Sequence, residues 1–256
     1  MEKLTHQYQA IEKEFSKQSS GWNQPLPLML VELANRLPLR SQDLVLDVAA
    51  GSGLVSLALS TKVKHITALD ATAEMMGQGK AMLENLGVHN ITFRKGYAES
   101  LPFDEGSFDV VITRFSFHHF LEPGLAFKEM CRVCNNGGLV VVIDLISPDD
   151  PMTAHTYNYL EQLRDMTHTR ALTFTELEQL FKETDIQDKW LLQKEMDVED
   201  WLNFTNTPAS ERSQITQQLS NELSHQTTPT GFSPLLKNDR LKFLHQIATI
   251  VGKKIP

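Results

Sequence analysis

The stretch Val45-Leu46-Asp47-Val48-Ala49-Ala50-Gly51-Ser52-Gly53 decides how this chain folds. A short apolar run ends at an acid and several small residues, and residues 54–59 then have the composition of a helix. That order predicts a strand, a tight turn without bulky side chains and a helix, in which the backbone can approach a nucleotide-like ligand closely. The acid at the strand end favours a ligand with a positive or hydroxyl-bearing group over a bare phosphate.

Five apolar runs recur along the first 150 residues, and segments of helical composition separate them. The predicted strands are 44–49, 66–70, 91–95, 108–114 and 139–146. Several runs are continuous rather than alternating, which is typical of strands buried on both faces of a parallel sheet. Helices are expected at 54–60, 73–86 and 124–134. Alternating strands and helices predict a doubly wound α/β fold, whose ligands bind beyond the carboxyl ends of the strands.

After residue 150 the pattern changes to helices separated by loops. The predicted helices are 153–165, 174–182, 197–204 and 207–226. Thr173 and Glu176 form the capping-box signature that opens the second of these helices. The run 186–194 predicts another strand, and 241–252 predicts a closing strand at the sheet edge.

Composition excludes several classes of function. The net charge of −8 over 256 residues disfavours nucleic acid as a partner, because nucleic-acid-binding proteins usually have a basic face. No apolar run reaches about 18 residues, so no membrane span is predicted. The polar, acidic N-terminus is not typical of a signal peptide. We expect a cytoplasmic protein, and its oligomeric state cannot be inferred from the sequence.

The two cysteines, Cys131 and Cys134, have the CxxC spacing of redox and metal sites. A zinc site needs two further ligands, and the sequence has no second pair. Both residues fall at the end of a predicted amphipathic helix. We therefore interpret them as small packing side chains and expect no metal site.

Three further segments are predicted to reach the same sheet edge as Asp47. Asp70 comes about 20 residues after the glycine turn, where an acid can accept both ribose hydroxyls of a nucleoside; it could instead cap the next helix. Met75 could cover an adenine ring or pack in the core. The loop around Glu99 could bind an adenine edge. Residues 114–120 place aromatic and histidine side chains at the mouth of the predicted pocket.

Together these segments resemble the class I S-adenosylmethionine-dependent methyltransferases, in particular the small-molecule branch similar to ubiquinone/menaquinone C-methyltransferases. The matching residues are 46–53, Asp70, 98–103, 107–111, 118–120, 129–133 and 137–138. The resemblance covers roughly residues 40–146. Ala50 stands where the family often has cysteine or threonine, and Cys134 stands where leucine is usual. Quinone methylation does not follow from these residues.

The resemblance implies a Rossmann-like, mostly parallel seven-stranded methyltransferase sheet with a helical cap, and S-adenosylmethionine as the cofactor. Asp70 would hold the ribose hydroxyls, and Asp47 would be tied to the turn or, through water, to the methionine ammonium. Arg114 would lie near the methionine carboxylate, with a salt bridge at the rim as its alternative. The cofactor-binding set is Asp47, Ala49, Gly51, Gly53, Asp70, Ala71, Met75, Ala98, Glu99 and Arg114.

A small-molecule acceptor is expected beneath a helical lid. Methyl transfer is an in-line displacement at an activated carbon, so the protein mainly aligns the nucleophile and excludes water. His118 or His119 could act as a general base if the acceptor is a weakly acidic OH or CH group; packing and loop capping are the alternatives. The predicted pocket residues are Phe15, Trp22, Tyr157 and His168. Oxygen, nitrogen and carbon acceptors all remain open.

Two other functions are compatible with parts of the pattern. A nicotinamide dehydrogenase would have G-x-G-x-x-G at the turn, but Ser56 occupies the third glycine position. A non-catalytic module with the cofactor fold need not retain both Asp47 and Asp70. For the methyltransferase interpretation, residues 1–40 form an N-terminal helical cap. Residues 41–146 form the cofactor-binding core, and residues 147–256 form the lid helices and closing strands.

Overall fold

The computed structural model describes residues 2–15 and 26–255, apart from several side chains within the first of these segments. Its strands are β1 Leu44–Val48, β2 His65–Asp70, β3 Ile91–Lys95, β4 Phe108–Arg114, β5 Cys134–Leu145, β6 Thr184–Asp197, β7 Leu235–Lys237 and β8 Arg240–Lys254. The main path of the sheet runs β3-β2-β1-β4-β5-β8-β6, and the short β7 pairs with β8 outside that path. The first five strands are parallel, and β8 is antiparallel to its neighbours. The predicted doubly wound, seven-stranded arrangement is confirmed, with β7 as an additional short strand.

Nine helices accompany the sheet in the described ranges. They are α1 Glu2–Phe15, α2 Leu28–Arg36, α3 Leu54–Leu59, α4 Ala73–Leu86, α5 Pro123–Val133, α6 Pro151–Arg164, α7 Phe174–Leu180, α8 Val198–Phe204 and α9 Ala209–Leu223. The predicted capping box is present at α7, where the side chains of Thr173 and Glu176 each bind the other residue's backbone N–H. None of the helices described is long and apolar enough to span a membrane.

Apolar layers cover both faces of the sheet. Val140 and Val142 of β5 belong to a core cluster with α5 and α7, whereas Val141 and Ile143 belong to a second cluster with α2 and α3. Successive strand residues point to opposite faces, so this division explains why the run in β5 is continuously apolar. A third cluster joins α6, α8 and α9 to the ends of β5 and β8 and forms the core of the segment predicted to be a lid.

The prediction that 241–252 lies at the sheet edge is wrong. β8 pairs with β5 on one side and with β6 on the other, so β6 is the edge strand. The physical reason lies in side-chain burial: residues 247–252 are buried, whereas residues 191–195 of β6 are exposed. A continuous apolar run at 247–251 is the pattern of an interior strand.

Residues 135–138 lie within the bounds of β5 but interrupt its pairing with β4. Cys134 pairs with Phe108, and the register then shifts before Leu139 pairs with Val110. A Cβ atom at Gly138 would lie 2.6 Å from the carbonyl oxygen of Asp109, so only glycine fits this irregularity. Burial raises the pKa of Cys134 to about 12 and that of Cys131 to about 11, so both thiols stay protonated near neutral pH. These values support packing roles for both cysteines.

Candidate functional site

The turn between β1 and α3 has an unusual backbone. Ala49, Gly51 and Gly53 all have positive φ angles, of 54°, 56° and 81°. Glycine adopts this left-handed region without the steric cost that a side chain brings, so two of the three positions suit their residues. A Cβ atom at Gly53 would lie 2.9 Å from the Phe93 ring, and one at Gly51 would lie 3.3 Å from the Met75 methyl group. The bend therefore has to be free of side chains for packing as well as for any ligand.

Asp47 is fully buried at the end of β1. Its Oδ2 accepts hydrogen bonds from the backbone N–H of Ser56 at 3.0 Å and from the Ser56 hydroxyl at 2.7 Å. Its Oδ1 is buried and has no hydrogen-bond partner among the described residues. Burial raises the pKa of Asp47 to about 7. Asp47 is thus tied to the first turn of α3 by one oxygen, and its other oxygen is available to a donor.

Asp70 joins the end of β2 to the same turn. Its Oδ2 accepts the backbone N–H of Gly51 at 2.7 Å, and its Oδ1 accepts that of Thr72 at 2.7 Å. Burial raises the pKa of Asp70, although these two amides oppose the shift. Because each carboxylate oxygen can accept two hydrogen bonds, Asp70 still has acceptor capacity for a pair of hydroxyls.

The predicted adenine-edge segment contacts α1. Ala98 and Glu99 are buried, and the Tyr8 hydroxyl of α1 donates a hydrogen bond to Glu99 Oε2. The Tyr8 ring also packs against Tyr97, with 4.3 Å between centroids. Burial raises the pKa of Tyr8 and of Glu99. Helix α1 is therefore held over this side of the rim.

The guanidinium group of Arg114 lies at the end of β4. It stacks on the Phe115 ring, with 4.0 Å to the centroid, and its Nε is buried without a hydrogen-bond partner among the described residues. Burial lowers the pKa of Arg114 to about 10, although the charges of Asp144 and Asp47 oppose the shift. Arg114 forms no salt bridge with any residue in the ranges described. The alternative interpretation of Arg114, a salt bridge at the rim, therefore has no partner residue there.

His118 and Asp144 form a buried pair. His118 Nδ1 lies 2.6 Å from Asp144 Oδ1, and Asp144 Oδ2 accepts the backbone N–H groups of Ser116 at 3.0 Å and Phe117 at 2.6 Å. Burial favours neutral histidine, but the charge and the hydrogen bond of Asp144 outweigh it and raise the pKa of His118. Despite burial, the pKa of Asp144 is lowered because His118 stands beside it. This is the arrangement of a histidine oriented by a carboxylate.

The other predicted histidines lie close to His118. The His119 ring is 4.1 Å from it, and the His168 ring stacks at 5.4 Å. Burial lowers the pKa of His119 to about 4 and that of His168 to about 3, so both are neutral near pH 7. His119 Nδ1 lies 3.1 Å from the Thr167 carbonyl oxygen, and His168 Nε2 lies 2.9 Å from Asn158 Oδ1.

The remaining predicted pocket residues are not part of this histidine group. Tyr157 is fully buried in the lid core, where its ring stacks on Phe232 and its hydroxyl lies 3.0 Å from His245 Nε2. Trp22 and the Phe15 side chain lie outside the described residues.

Three contributors were not named among the predicted binding or catalytic residues, although the strand pattern places Asp144 at the same rim. Ser56 binds Asp47, Tyr8 binds Glu99, and Asp144 binds His118. Asp144 has a sequence signal, because it is a lone acid at the end of a continuous apolar run. Tyr8 has none, because its contact joins residues 91 positions apart.

The hydrogen bond between Asp47 and Ser56 bears on the choice of cofactor. A dinucleotide pyrophosphate binds at the N-terminus of the helix that follows the glycine turn. Here the Ser56 N–H in the first turn of α3 already donates to Asp47, and the Ser56 side chain stands where a dehydrogenase has its third glycine. This geometry disfavours the dehydrogenase alternative.

Comparison with known proteins identifies the family. The profile of the family described as "Methyltransferase domain" matches residues 46–142. YcgJ, an uncharacterized methyltransferase of Bacillus subtilis, is 36% identical over 186 residues, which span 71% of this chain and 72% of YcgJ. The crystal structure of YcgJ matches with a TM-score of 0.81 at 29% identity and covers 90% of this chain and 100% of that chain.

Two further relatives extend this likeness. The uncharacterized protein YafE of Escherichia coli is 33% identical over 158 residues, covering 61% of this chain and 76% of YafE. The ubiquinone/menaquinone biosynthesis C-methyltransferase UbiE of Rhizobium rhizogenes is 34% identical over 118 residues, covering 44% of this chain and 45% of UbiE. The resemblance to class I S-adenosylmethionine-dependent methyltransferases, including the ubiquinone/menaquinone branch, is thus confirmed, and the chain belongs to the methyltransferase domain family.

Proposed function

We propose that this protein binds S-adenosylmethionine at the β1–β2–β4 rim and transfers its methyl group to a small molecule beneath the lid. The observation that carries the proposal is the pair of buried acids at neighbouring strand ends, Asp47 and Asp70, on either side of the left-handed turn. Asp47 retains one oxygen without a partner, as a site for an ammonium group requires. A non-catalytic module would have no reason to keep such a costly buried acceptor.

The residues present fit this cofactor. Asp70 can accept the ribose hydroxyls, the turn at Ala49, Gly51 and Gly53 leaves room for the methionine chain, and Arg114 is available to a carboxylate. Ala71, Met75, Ala98 and Glu99 are buried, and in this proposal they would surround the nucleoside. When bound, the cofactor supplies a methyl group already activated by its sulfonium. The protein contributes orientation and a site shielded from water.

His118 is the proposed general base for a weakly acidic acceptor. Asp144 orients it, and His118 Nε2 makes no hydrogen bond to the described residues. His119 is a weaker candidate, because its pKa of about 4 gives it little tendency to take a proton. The base must be neutral to act, so the raised pKa of His118 predicts activity that increases with pH. His168 and Tyr157 would complete the acceptor side, where the lid (147–256) meets the core (41–146) and the N-terminal cap (1–40).

The experiment has two parts. Isothermal titration calorimetry with S-adenosylmethionine, S-adenosylhomocysteine and NAD tests the cofactor; we expect saturable binding of the first two and none of NAD. Incubation of the protein with labelled methyl donor and a metabolite extract then tests transfer, with a labelled small product expected. Binding of NAD without binding of S-adenosylmethionine would overturn the assignment. Cofactor binding with no product from any extract would favour the non-catalytic module.

A further inference from the structure

A second cavity lies beside the proposed cofactor rim. It has a volume of about 240 Å³ and lies between α2 and the sheet face formed by β5, β8 and β6. Its walls are mainly apolar and include Leu33, Ile143, Trp190, Leu192 and Ile247, with Arg114 at one end. We call this space the α2 cavity. It is somewhat smaller than the 300–1,000 Å³ or so of typical drug-sized ligand pockets, so it suits a ligand of one ring or a short chain.

One row of the sheet connects the α2 cavity to the cofactor rim. Arg114 of β4 pairs with Ile143 of β5, Ile143 pairs with Thr249 of β8, and Thr249 pairs with Trp190 of β6. Residues directly opposite each other on adjacent strands point to the same face, and all four residues line the cavity. The row therefore runs from Arg114, beside the proposed methionine end, to the indole of Trp190.

Two positive charges concern this part of the sheet: Arg114, which lines the α2 cavity, and Lys194, which is exposed on β6. Arg114 Nε is buried without a hydrogen bond, and neither Arg114 nor Lys194 forms an ion pair with any residue that the structure describes. Lys194 follows Leu192 by two positions on β6, so both lie on the same face. Burial lowers the pKa of Lys194, and the positive charge of Arg114 adds to this effect.

The nearby charged groups form no ion pair with them among the described residues, although the charges of Asp144 and Asp47 act on Arg114. Arg36 is occupied by Asp188, with N–O distances of 2.6 and 3.0 Å, and its guanidinium covers the Trp190 ring at 3.7 Å. Glu32 lines the α2 cavity, but its side chain is exposed to solvent. A partly buried cation without a partner is costly, and a bound anion removes that cost.

The backbone at Arg114 supports a binding role. Phe115 has φ of +55°, a conformation that is costly for a bulky side chain, and its ring holds the guanidinium at 4.0 Å. Strained residues of this kind persist where the surroundings impose them, often at ligand sites.

We propose that the α2 cavity binds a small organic carboxylate with an apolar body, its carboxylate at Arg114 and Lys194 and its body against Trp190 and Ile247. The inference rests on the proposed function, because it identifies this molecule as the methyl acceptor: a nucleophilic group on its body would form the new bond to the methyl carbon as the bond from that carbon to the sulfonium sulfur breaks, and S-adenosylhomocysteine would leave. Arg114 has five N–H donors, enough to serve the methionine carboxylate on one side and the acceptor on the other. A phosphate ester carries a higher charge, which these mainly apolar walls do not compensate.

Calorimetry without cofactor tests binding. Octanoate and phenylpropanoate are the probes, with octanol, phenylpropanol and inorganic phosphate as controls. We expect saturable binding of both acids and at least about tenfold weaker binding of each alcohol, because a charge-assisted pair is lost. Phosphate should not bind. Equal binding of acid and alcohol, or absence of saturable binding of both acids, would overturn the proposal.

A pair of neighbouring variants locates the site. Leu192→Glu places a carboxylate in the α2 cavity, whereas Leu191→Glu makes the same change on the opposite face of β6; both side chains are exposed, at 39% and 53%, so both variants should fold. We expect Leu192→Glu to weaken octanoate binding about tenfold or more and Leu191→Glu to change it less than about twofold. Lys194→Met should weaken it about threefold to tenfold. Equal effects of the two glutamates would exclude the α2 cavity.

A third measurement separates this inference from the proposed function. Octanoate should inhibit methyl transfer competitively toward the acceptor found in the extract, and Leu192→Glu should raise the KM for that acceptor without changing the Kd for S-adenosylmethionine. If the cofactor binds and transfer occurs but octanoate does not inhibit, the acceptor assignment fails alone. If octanoate binds but the cofactor does not, the proposed function fails and takes the acceptor assignment with it.

Discussion

The buried acids Asp47 and Asp70, at the proposed cofactor rim, differ from Asp144 of β5 and Glu161 of α6 in how their charge is compensated. Asp47 and Asp70 are held by backbone amides and a hydroxyl from nearby segments, with no cation in hydrogen-bond contact, and burial raises the pKa of both. Asp144 and Glu161 are equally buried, yet their pKa values are lowered, because His118 and Arg164 stand beside them. A buried carboxylate beside a cationic side chain has its charge compensated within the protein. A buried carboxylate without such a neighbour is suited to bind a positive or hydroxyl-bearing group of a ligand. The comparison therefore separates the proposed cofactor rim, whose acids have no hydrogen-bonded cation among the described residues, from Asp144 and Glu161, whose charges are compensated by neighbouring cations.

The largest effect is expected at the point where the two regions meet. His118→Gln should lower kcat about 10²- to 10⁴-fold, the usual contribution of a general base, and leave the Kd for S-adenosylmethionine unchanged. His119→Gln, with an adjacent and equally buried ring, is the matched control and should cost less than about tenfold. Steady-state kinetics and calorimetry measure both variants. A larger loss in the His119 variant would transfer the base role to His119, and equal cofactor weakening in both would indicate a purely structural group.

The lid should depend on its internal ion pair for stability. Arg164 Nε lies 2.9 Å from Glu161 Oε2, and His245 Nε2 lies 3.2 Å from Oε1. Glu161→Ala leaves Arg164 buried without its partner, so we expect a loss of about 3–5 kcal/mol in the free energy of unfolding. Glu195→Ala removes a surface partner of Lys237 and Lys242 and should cost at most about 1 kcal/mol. Urea denaturation measures the free energy of unfolding of both variants. Similar losses in the two variants would contradict the distinction between the buried Glu161–Arg164 pair and the exposed pairs of Glu195.

Substitutions of Asp70 at the proposed rim should weaken cofactor binding more than they lower the stability of the folded protein. Asp70→Ala should weaken S-adenosylmethionine binding by about 1–3 kcal/mol, the scale of lost hydrogen bonds to a charged group. Asp70→Asn retains an oxygen acceptor and should give an intermediate loss. Calorimetry measures the dissociation constants, and thermal unfolding checks that both variants fold. An unchanged dissociation constant for the alanine variant would remove Asp70 from the cofactor site.

The smallest expected effect is a pH dependence that only the rim should show. Asp47 has a pKa of about 7, and its carboxylate must be ionised to attract an ammonium group. The Kd for S-adenosylmethionine should therefore fall about tenfold between roughly pH 5.5 and 7.5 as Asp47 loses its proton. Asp47→Asn should make the Kd independent of pH over this range. A wild-type Kd that does not vary with pH would mean that Asp47 only anchors α3.

The His118–Asp144 pair makes the stability of the folded protein depend on pH, and this dependence differs from that expected for cofactor binding at Asp47. The raised pKa of His118 contributes stability that is complete below its ordinary pKa of 6.5 and is lost as the pH rises through the folded value. The lowered pKa of Asp144 contributes stability that is present above 3.8 and is lost as the pH falls through its folded value. Both contributions are present between these limits, so the pair should stabilise the protein most at mildly acidic pH.

Local signals were sufficient for the strand-turn-helix unit. The predicted strand 44–49 and helix 54–60 match β1 and α3 to within one residue at each end. The capping box at Thr173 was also predicted correctly, because both partners lie three residues apart. The position of β8 inside the sheet was missed, because strand order depends on which surfaces remain to be covered after the first five strands have paired.

The sequence by itself determined the fold class and the family, because strand periodicity, glycine conformation and helix capping act between residues close along the chain. It also named the acids and histidines, although their roles remain predictions. Only the tertiary structure decided which cation stands beside which acid: His118 reaches Asp144 across 26 positions, and His245 reaches Glu161 from β8. Burial and neighbouring charge set a pKa, and both arise when distant segments pack together, so no local pattern contains them.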